Sequence, residues 1–217
     1  MHLSDIQLGR LRTLQDELED LQEVCQVARQ LTPALALQLQ EMINRLKPYL
    51  TQRPLAYCFS HGDYTHTQLI FDGLQSGLVD FDTVCQAEPA LDLGQFQAYL
   101  RLAVAKALPP APAASPDRGA QLCTQFMKSY TKTMGYPDMT IIQLLDRVAV
   151  YEVVSLLRIA LHSWQKLKPV RLEQVMTILE ERIACLPPLT QPQPTLTRKP
   201  LPWLTGAAMR QGSGSSS

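Results

Sequence analysis

The sequence lacks three features that would place it in a broad class at once: an excess of one charge, paired cysteines and a long apolar run. Its 20 basic and 20 acidic residues give a formal net charge of zero. No electrostatic feature therefore favours nucleic acid or an anionic membrane as a partner. The five cysteines are scattered and contain no C-x-x-C pair, which argues against a disulfide framework or a zinc site and favours a reducing cytoplasm.

Apolar stretches are too interrupted to cross a membrane. The longest candidate, 141–161, contains Gln143 and four charged side chains, and it is interpreted as a buried helix. The first 22 residues are polar and lack the apolar core of a signal peptide. We therefore expect a cytoplasmic protein without a membrane partner. The chain divides into a body at 1–186 and a proline-rich, then Gly/Ser-rich tail at 187–217 that we expect to be disordered.

Apolar residues recur at helical spacing through most of the chain. Ser4 with Gln7 has the form of a capping box, and apolar residues then recur every three or four positions from Leu11 to Ala28. We interpret this segment as a helix that packs on its own domain, with a partner helix from another chain as the alternative. Further helices are predicted at 33–46, 89–107, 122–134, 140–164 and 171–186.

The β-forming part of the chain lies at 55–82. Residues 55–59 are apolar and aromatic and predict a strand, and 61–68 predict a loop. Residues 69–71 and 77–81 flank an Asp-Gly turn and predict a hairpin. The expected fold class is therefore mainly α with a small β-hairpin, or α+β.

Candidate catalytic and metal-binding residues lie at the two ends of this hairpin. Asp63 ends an H-G-D tripeptide, Gln68 follows five residues later, and Asp80 opens a D-F-D segment. A kinase catalytic loop and its metal-binding aspartate have the same spacing: an acid, an amide five positions later, and a second acid about a dozen residues after that. In that pattern the first acid accepts the proton of the attacking hydroxyl, while the amide and the second acid hold Mg²⁺.

Each of these residues also has a plainer explanation. Asp80 and Asp82 can be ordinary acids at the end of a strand, and Asp92 can simply cap the helix that begins near it. The joint spacing of these acids with Asp63 and Gln68 is what favours a kinase site.

Two other features carry weaker signals. The basic residues Lys166, Lys168 and Arg171 are interpreted as a solvated helix junction, with a phosphate-binding role as the alternative. His66 is a candidate base or ligand with a weaker signal than Asp63, Gln68 and Asp80.

The segment 60–96 resembles the signature of aminoglycoside phosphotransferase-type kinases, the small-molecule branch of the protein-kinase-like fold. It contains HGDYTHTQLIFDG and then GLVDFDTVCQAEPALDLGQF. The resemblance implies that Asp63 is the catalytic base and that Gln68 and Asp80 are the Mg²⁺ ligands. It also implies ATP as the phosphoryl donor and a hydroxyl of a small molecule as the acceptor.

The same resemblance assigns supporting roles around the catalytic loop. By it, His61, Asp82 and Asp92 hold the loop in place, and the helices after Asp92 form the substrate-side part of a C-terminal lobe. Gln68 departs from the pattern, since most of the family has Asn there, although maltokinase-like members share the Gln.

A larger departure concerns the N-terminal lobe of the family. The sixty residues before His61 are interpreted as helices and hold one Gly, Gly9, and one Lys, Lys47. A strand-rich lobe with a nucleotide-covering loop and a phosphate-binding Lys is therefore expected to be missing from this chain.

Three interpretations stay open on the sequence. The chain is the C-terminal piece of a complete kinase, one half of a split enzyme whose N-lobe belongs to another chain, or a non-catalytic scaffold that works through a protein partner. The first two predict an ATP-dependent phosphotransferase that is inactive as the isolated chain.

Overall fold

The computed structural model describes His2 and residues 7–107 and 117–189. Most of these residues are helical, and none of the helices they form is long and apolar enough to span a membrane. The predicted cap at Ser4 and nearly all of the predicted tail, from residue 190, lie outside this part. The helices are α1 (Leu14–Leu31), α2 (Pro33–Leu46), α3 (Pro89–Ala107), α4 (Arg118–Met134), α5 (Asp138–Gln165) and α6 (Pro169–Ala184).

Within the described ranges, four strands of three residues form two separate antiparallel pairs: β1 (Cys58–Ser60), β2 (Leu69–Phe71), β3 (Ser76–Leu78) and β4 (Cys85–Ala87). Strands β2 and β3 pair with Leu69 opposite Leu78 and form the predicted hairpin. Strand β1 pairs with β4, which we did not predict, because Cys-Gln-Ala is short and holds no β-branched or aromatic residue. The return strand ends at Leu78 rather than at residue 81, since Asp80 adopts a left-handed conformation (φ 66°) that interrupts the pleat.

Helix α1 begins at Leu14, later than the sequence pattern indicated. Thr13 and Asp16 form a reciprocal capping box, in which the Thr13 N–H donates to the Asp16 carboxylate at 2.7 Å. The segment before it runs alongside β4: the Arg12 N–H donates to the Gln86 carbonyl, and the Gln86 N–H donates to the Arg10 carbonyl, both at 2.9 Å. The apolar seam of α1 is buried against α2 and α5 of the same chain, as the intradomain interpretation predicted.

Helix α5 is the centre of the core and packs against α3 and α6. Its contact with α3 is close, because a Cβ added to Gly94 would lie 2.6 Å from the backbone nitrogen of Glu152. The absence of a side chain at that position lets the two backbones approach, and this places the start of α3 firmly against the core.

A buried carboxylate fixes the start of α3. Glu88 accepts a hydrogen bond from Nε of Arg147 at 2.8 Å and another from the Tyr151 hydroxyl at 3.1 Å. It also accepts from the N–H of Leu55 at 2.9 Å. A buried charge is tolerated when it is paired and hydrogen-bonded in this way. Glu88 therefore ties α5, the entry to β1 and the start of α3 together.

The end of α6 leads into the segment predicted as a tail. The Tyr49 hydroxyl donates to the carbonyl of Pro187 at 2.5 Å, so the chain is still attached to the body just after α6. The boundary between 186 and 187 stays a prediction.

Candidate active site

A buried carboxylate holds the first residues of the catalytic loop, which we define as residues 61–68 between β1 and β2. Asp92 on α3 accepts the backbone N–H of His61 at 2.8 Å through one oxygen and that of Gly62 at 2.9 Å through the other. Asp92 is fully buried. Hydrogen bonds to an ionised acceptor are stronger than neutral ones, so this pair of bonds fixes the direction in which the chain enters Asp63.

His61 and Gly62 connect the loop to the segment that follows β3. The Nδ1 atom of His61 accepts the Asp63 N–H at 3.3 Å, so the ring hydrogen is on Nε2, which donates to the Val79 carbonyl at 2.9 Å. Gly62 has a φ of +79°, and an added Cβ would lie 2.1 Å from the Thr83 carbonyl oxygen. Only glycine fits this turn without moving the neighbouring chain.

The three residues predicted to carry the chemistry converge. The Gln68 side-chain nitrogen lies 3.4 Å from Oδ2 of Asp63 and 3.0 Å from Oδ2 of Asp80. Asp80 has φ 66° and ψ 62°, a conformation that costs a residue other than glycine about 1–2 kcal/mol. Such strain is often found at residues that hold a ligand. Two carboxylates therefore meet at one amide group.

The donor set at this point suits a divalent cation. Mg²⁺ binds at nucleotide sites through one or two carboxylates and takes its other ligands from water and phosphates. Asp80 and Gln68 can supply two protein oxygens, provided that the Gln68 amide turns over, because its nitrogen now faces the acids. Within the described ranges, no group of three or more His, Cys, Asp or Glu residues could hold a metal ion.

Asp82 and His66 lie outside this network. Both residues are exposed. In the part of the chain that the structure describes, no hydrogen bond or ion pair joins either side chain to Asp63, Gln68 or Asp80. The supporting role predicted for Asp82 therefore stays a prediction without a contact that would carry it.

Gln95 contacts the predicted base directly, although we did not select it from the sequence. Its side-chain nitrogen donates to Oδ1 of Asp63 at 2.7 Å. The residue is 5% exposed, and its other amide atom, Oε1, is buried without a hydrogen-bond partner. Gln95 follows Asp92 by three positions on α3, and residues at this spacing share a helix face. The three-residue spacing from Asp92 was the sequence signal that could have identified Gln95.

A second network, also not predicted, braces the loop from α1. The Arg12 guanidinium donates to the Gly62 carbonyl at 3.2 Å and to the Glu17 carboxylate at 2.9 Å. Glu17 is fully buried and also pairs with Arg158 of α5. Burial acts to lower the pKa of Arg12, but the Glu17 carboxylate outweighs it and the net shift is upward. Helices α1 and α5 are thus joined to the loop through one carboxylate.

His2 contacts the same buried acid that holds the loop. Its Nε2 lies 3.0 Å from Oδ2 of Asp92, and its Nδ1 lies 2.8 Å from the Tyr130 hydroxyl. The His2 side chain is 6% exposed. Asp92 therefore has side-chain as well as backbone partners.

The part of the chain that contains this site matches the model of a known protein family. The model of the family described as "Phosphotransferase enzyme family" matches residues 2–120, more than half of the chain. The matched range includes the catalytic loop, the D-F-D segment and α3. A search of curated proteins finds no match.

Several solved structures share the fold. The GDP complex of wild-type aminoglycoside 2'-phosphotransferase-IIIa has a TM-score of 0.51 at 18% identity, over 81% of this chain and 53% of its own. The GDP complex of a mutant of that enzyme gives the same TM-score at 17% identity. An ethanolamine kinase from Plasmodium vivax has a TM-score of 0.53 at 16% identity, over 80% of this chain and 49% of its own.

These likenesses establish the fold, and the chain spans about half the length of each of these structures. The prediction of a mainly helical, protein-kinase-like fold with a small hairpin is confirmed. Because the family model matches residues 2–120 and this range holds the H-G-D loop, the chain belongs to the phosphotransferase enzyme family.

Proposed function

We propose that this chain is the catalytic-loop-bearing lobe of an ATP-dependent phosphotransferase that acts on a hydroxyl group of a small molecule. The observation that carries the proposal is the meeting of Asp63, Gln68 and Asp80 at one point, from a loop, its end and the far side of a hairpin. Family membership supports it, as does the nucleotide bound in a structure of the same fold.

Asp63 is the proton acceptor in this proposal. Gln95 fixes Oδ1 at 2.7 Å, and Oδ2 is the oxygen nearer to Gln68. A carboxylate held in this way can bind the acceptor hydroxyl and align its oxygen for attack on the terminal phosphorus. The hydroxyl proton passes to Asp63 as the new O–P bond forms, and the bond to the departing ADP breaks.

Asp80 and Gln68 are the proposed ligands of Mg²⁺. When bound, the ion neutralises charge on the transferring phosphates. The chain itself contributes two oxygen ligands whose positions are set by the hairpin. The hairpin positions Gln68 before β2 and Asp80 after β3, and the left-handed backbone at Asp80 sets the geometry of the second ligand.

The remaining nucleotide contacts come from a second lobe in this proposal, either in the same polypeptide or on another chain. The solved structures of this fold are about twice as long as the matched chain. Large apolar side chains are exposed along the hairpin and the turn after it, where such a lobe would cover them. They are Ile70, Phe71, Leu74, Val79 and Phe81.

One observation favours a second candidate function, a non-catalytic scaffold that works through a protein partner. The Gln68 amide donates to both carboxylates, so it can offset their mutual repulsion without a cation. A site of this kind can persist for structural reasons alone.

A titration of the chain with ATP and Mg²⁺ separates the candidates. We expect little thermal stabilisation of the isolated chain and clear stabilisation once a nucleotide-binding lobe is supplied, because that lobe holds much of the phosphate contact. In any assembly that transfers phosphate, Asp63→Asn should abolish transfer while the folded state persists, and Asp20→Asn on the exposed surface of α1 is the matched control.

Turnover retained by the Asp63→Asn assembly would remove Asp63 from the mechanism. A chain that forms a stable stoichiometric complex with a partner, yet never responds to nucleotide, would establish the scaffold.

A further inference from the structure

An unused hydrogen-bond acceptor lies beside the proposed base. Oε1 of Gln95 is buried and has no partner, while the nitrogen of the same amide is bonded to Asp63. A buried polar atom is normally satisfied, and an exception indicates a missing water or ligand. The immediate surroundings of Asp63 therefore include a hydrogen-bond acceptor to which a hydroxyl of a bound substrate can donate.

Tyr99 extends this side of the site along α3. It follows Gln95 by four positions, so the two share a helix face and are separated by about 6 Å along the axis. The Arg171 guanidinium lies 5.9 Å from the centroid of the Tyr99 ring. Burial raises the pKa of Tyr99, the Asp63 carboxylate raises it further and Arg171 opposes the change. Asp63, Tyr99 and Arg171 therefore share one electrostatic neighbourhood.

The positive charge at this place has no acidic partner among the described residues. Among the described residues, no ion pair joins Arg171, Lys166 or Lys168 to a carboxylate, whereas Arg158 pairs with the buried Glu17. Burial lowers the pKa of the exposed His162, and the charges of these three cations lower it further. We call Lys166, Lys168 and Arg171 the basic junction.

The N-terminus of α6 adds positive electrostatic potential at the basic junction. The helix begins at Pro169 after Lys168, and no side chain caps its N-terminus. The free N–H groups of a helix start carry a partial positive charge. The basic junction thus combines side-chain charge with a helix dipole, next to a tyrosine that lies one helical turn from Gln95, the residue that donates to Asp63. Arg171 is half-buried on that ring, which differs from the fully solvated junction expected from the sequence.

We propose that the acceptor molecule carries an anionic group, a carboxylate or a phosphate, that binds at the basic junction through Arg171 while its hydroxyl reaches Asp63. The proposal rests on the proposed phosphotransferase function. A second hydroxyl of the acceptor donates to Oε1 of Gln95. A small hydroxylated carboxylate or phosphate ester is an acceptor of this kind. An acceptor that is a cationic amine would meet the unpaired charges of the junction and is disfavoured.

Calorimetric titrations with four probes test this proposal without nucleotide: glycerol, glycerate, glycerol 3-phosphate and inorganic phosphate. We expect at least one of the two hydroxylated anions to bind the intact chain about tenfold more tightly than glycerol or inorganic phosphate. The tighter of the two identifies the anionic group as carboxylate or phosphate.

Variants localise the binding. Arg171→Ala should weaken binding of the preferred anion about tenfold, and Lys168→Ala should weaken it less, since that side chain is exposed. Lys132→Ala, which removes an exposed cation from α4, is the matched control and should leave binding unchanged. Equal effects of Arg171→Ala and Lys132→Ala would overturn the proposal.

Three other results would also overturn it. They are undetectable binding of both hydroxylated anions, binding of glycerol as tight as theirs, and inorganic phosphate binding as tightly as either, which would mean an ion site unconnected with Asp63. Because these titrations contain no ATP, they are independent of transfer. An active assembly that uses neutral acceptors equally well would refute the anionic acceptor and leave the phosphotransferase in place. An assembly that binds a hydroxylated anion at the basic junction but never transfers phosphate would refute the phosphotransferase and leave the anion site in place.

Discussion

Replacement of Asp92 by Asn tests how the catalytic loop is held. The carboxylate accepts the N–H of His61 at 2.8 Å and that of Gly62 at 2.9 Å. Asparagine has nearly the same shape but one acceptor oxygen, so its NH₂ group would face one of the two backbone donors. The change weakens one charge-assisted bond and leaves the other buried donor unsatisfied, a loss of about 3 kcal/mol. With a urea dependence of about 2 kcal/mol per molar, the unfolding midpoint should fall by about 1.5 M.

Urea unfolding followed by circular dichroism measures this change. Asp20→Asn is the matched control, because it makes the same chemical change on an exposed residue of α1. Amide hydrogen exchange supplies a local readout: the His61 and Gly62 amides should lose protection in the Asp92 variant. Equal midpoints for the two variants, with both amides still protected, would show that the carboxylate does not hold the loop.

Three further predictions concern the surroundings of the loop. Gly62→Ala should lower stability by at least about 2 kcal/mol, because its backbone is left-handed and a Cβ meets a carbonyl; Gly77→Ala, with open space, is the control for urea unfolding and should be neutral. Glu17→Gln should cost about 3 kcal/mol, since two arginines lose a buried partner, and exposed Glu23→Gln should not; similar midpoints would contradict this. Burial raises the pKa of Cys58 from 9.0 to about 11, so the unfolded state releases its proton first and stability should fall as the pH rises through that range. Alkylation of Cys58 by iodoacetamide, followed by mass spectrometry, should be slow until the pH approaches 11, and rapid labelling of the folded chain at pH 8 would refute it.

The sequence was sufficient for those parts of the site whose geometry is local. The spacing from Asp63 to Gln68 lies within one loop, and the hairpin between Gln68 and Asp80 is closed by a short turn, so linear distance determines which residues meet. The bounds of α3 were also predicted correctly, at 89–107, because a proline opens it and a clear break follows.

The contacts that steady the site were not accessible in the same way. Gln95 and Asp63 are 32 positions apart, and Arg12 and Gly62 are 50 apart. Each pair meets because α1 and α3 pack on the core beside the loop, which no local pattern encodes. The predicted start of α1 was too early, because residues 10–12 pair with β4 and the capping box forms at Thr13. Strand β4 itself forms through that tertiary pairing, against weak intrinsic preference.

The course of residues 10–12 along β4 has a practical consequence for protein engineering. These residues enter the body next to the strand that pairs with β1, just ahead of the catalytic loop. An affinity tag or fusion partner joined just before them would lie close to Arg12, whose guanidinium donates to the Gly62 carbonyl of the loop, and a charged peptide there would compete for that contact. Titrations of this chain should therefore be carried out after cleavage of any such extension.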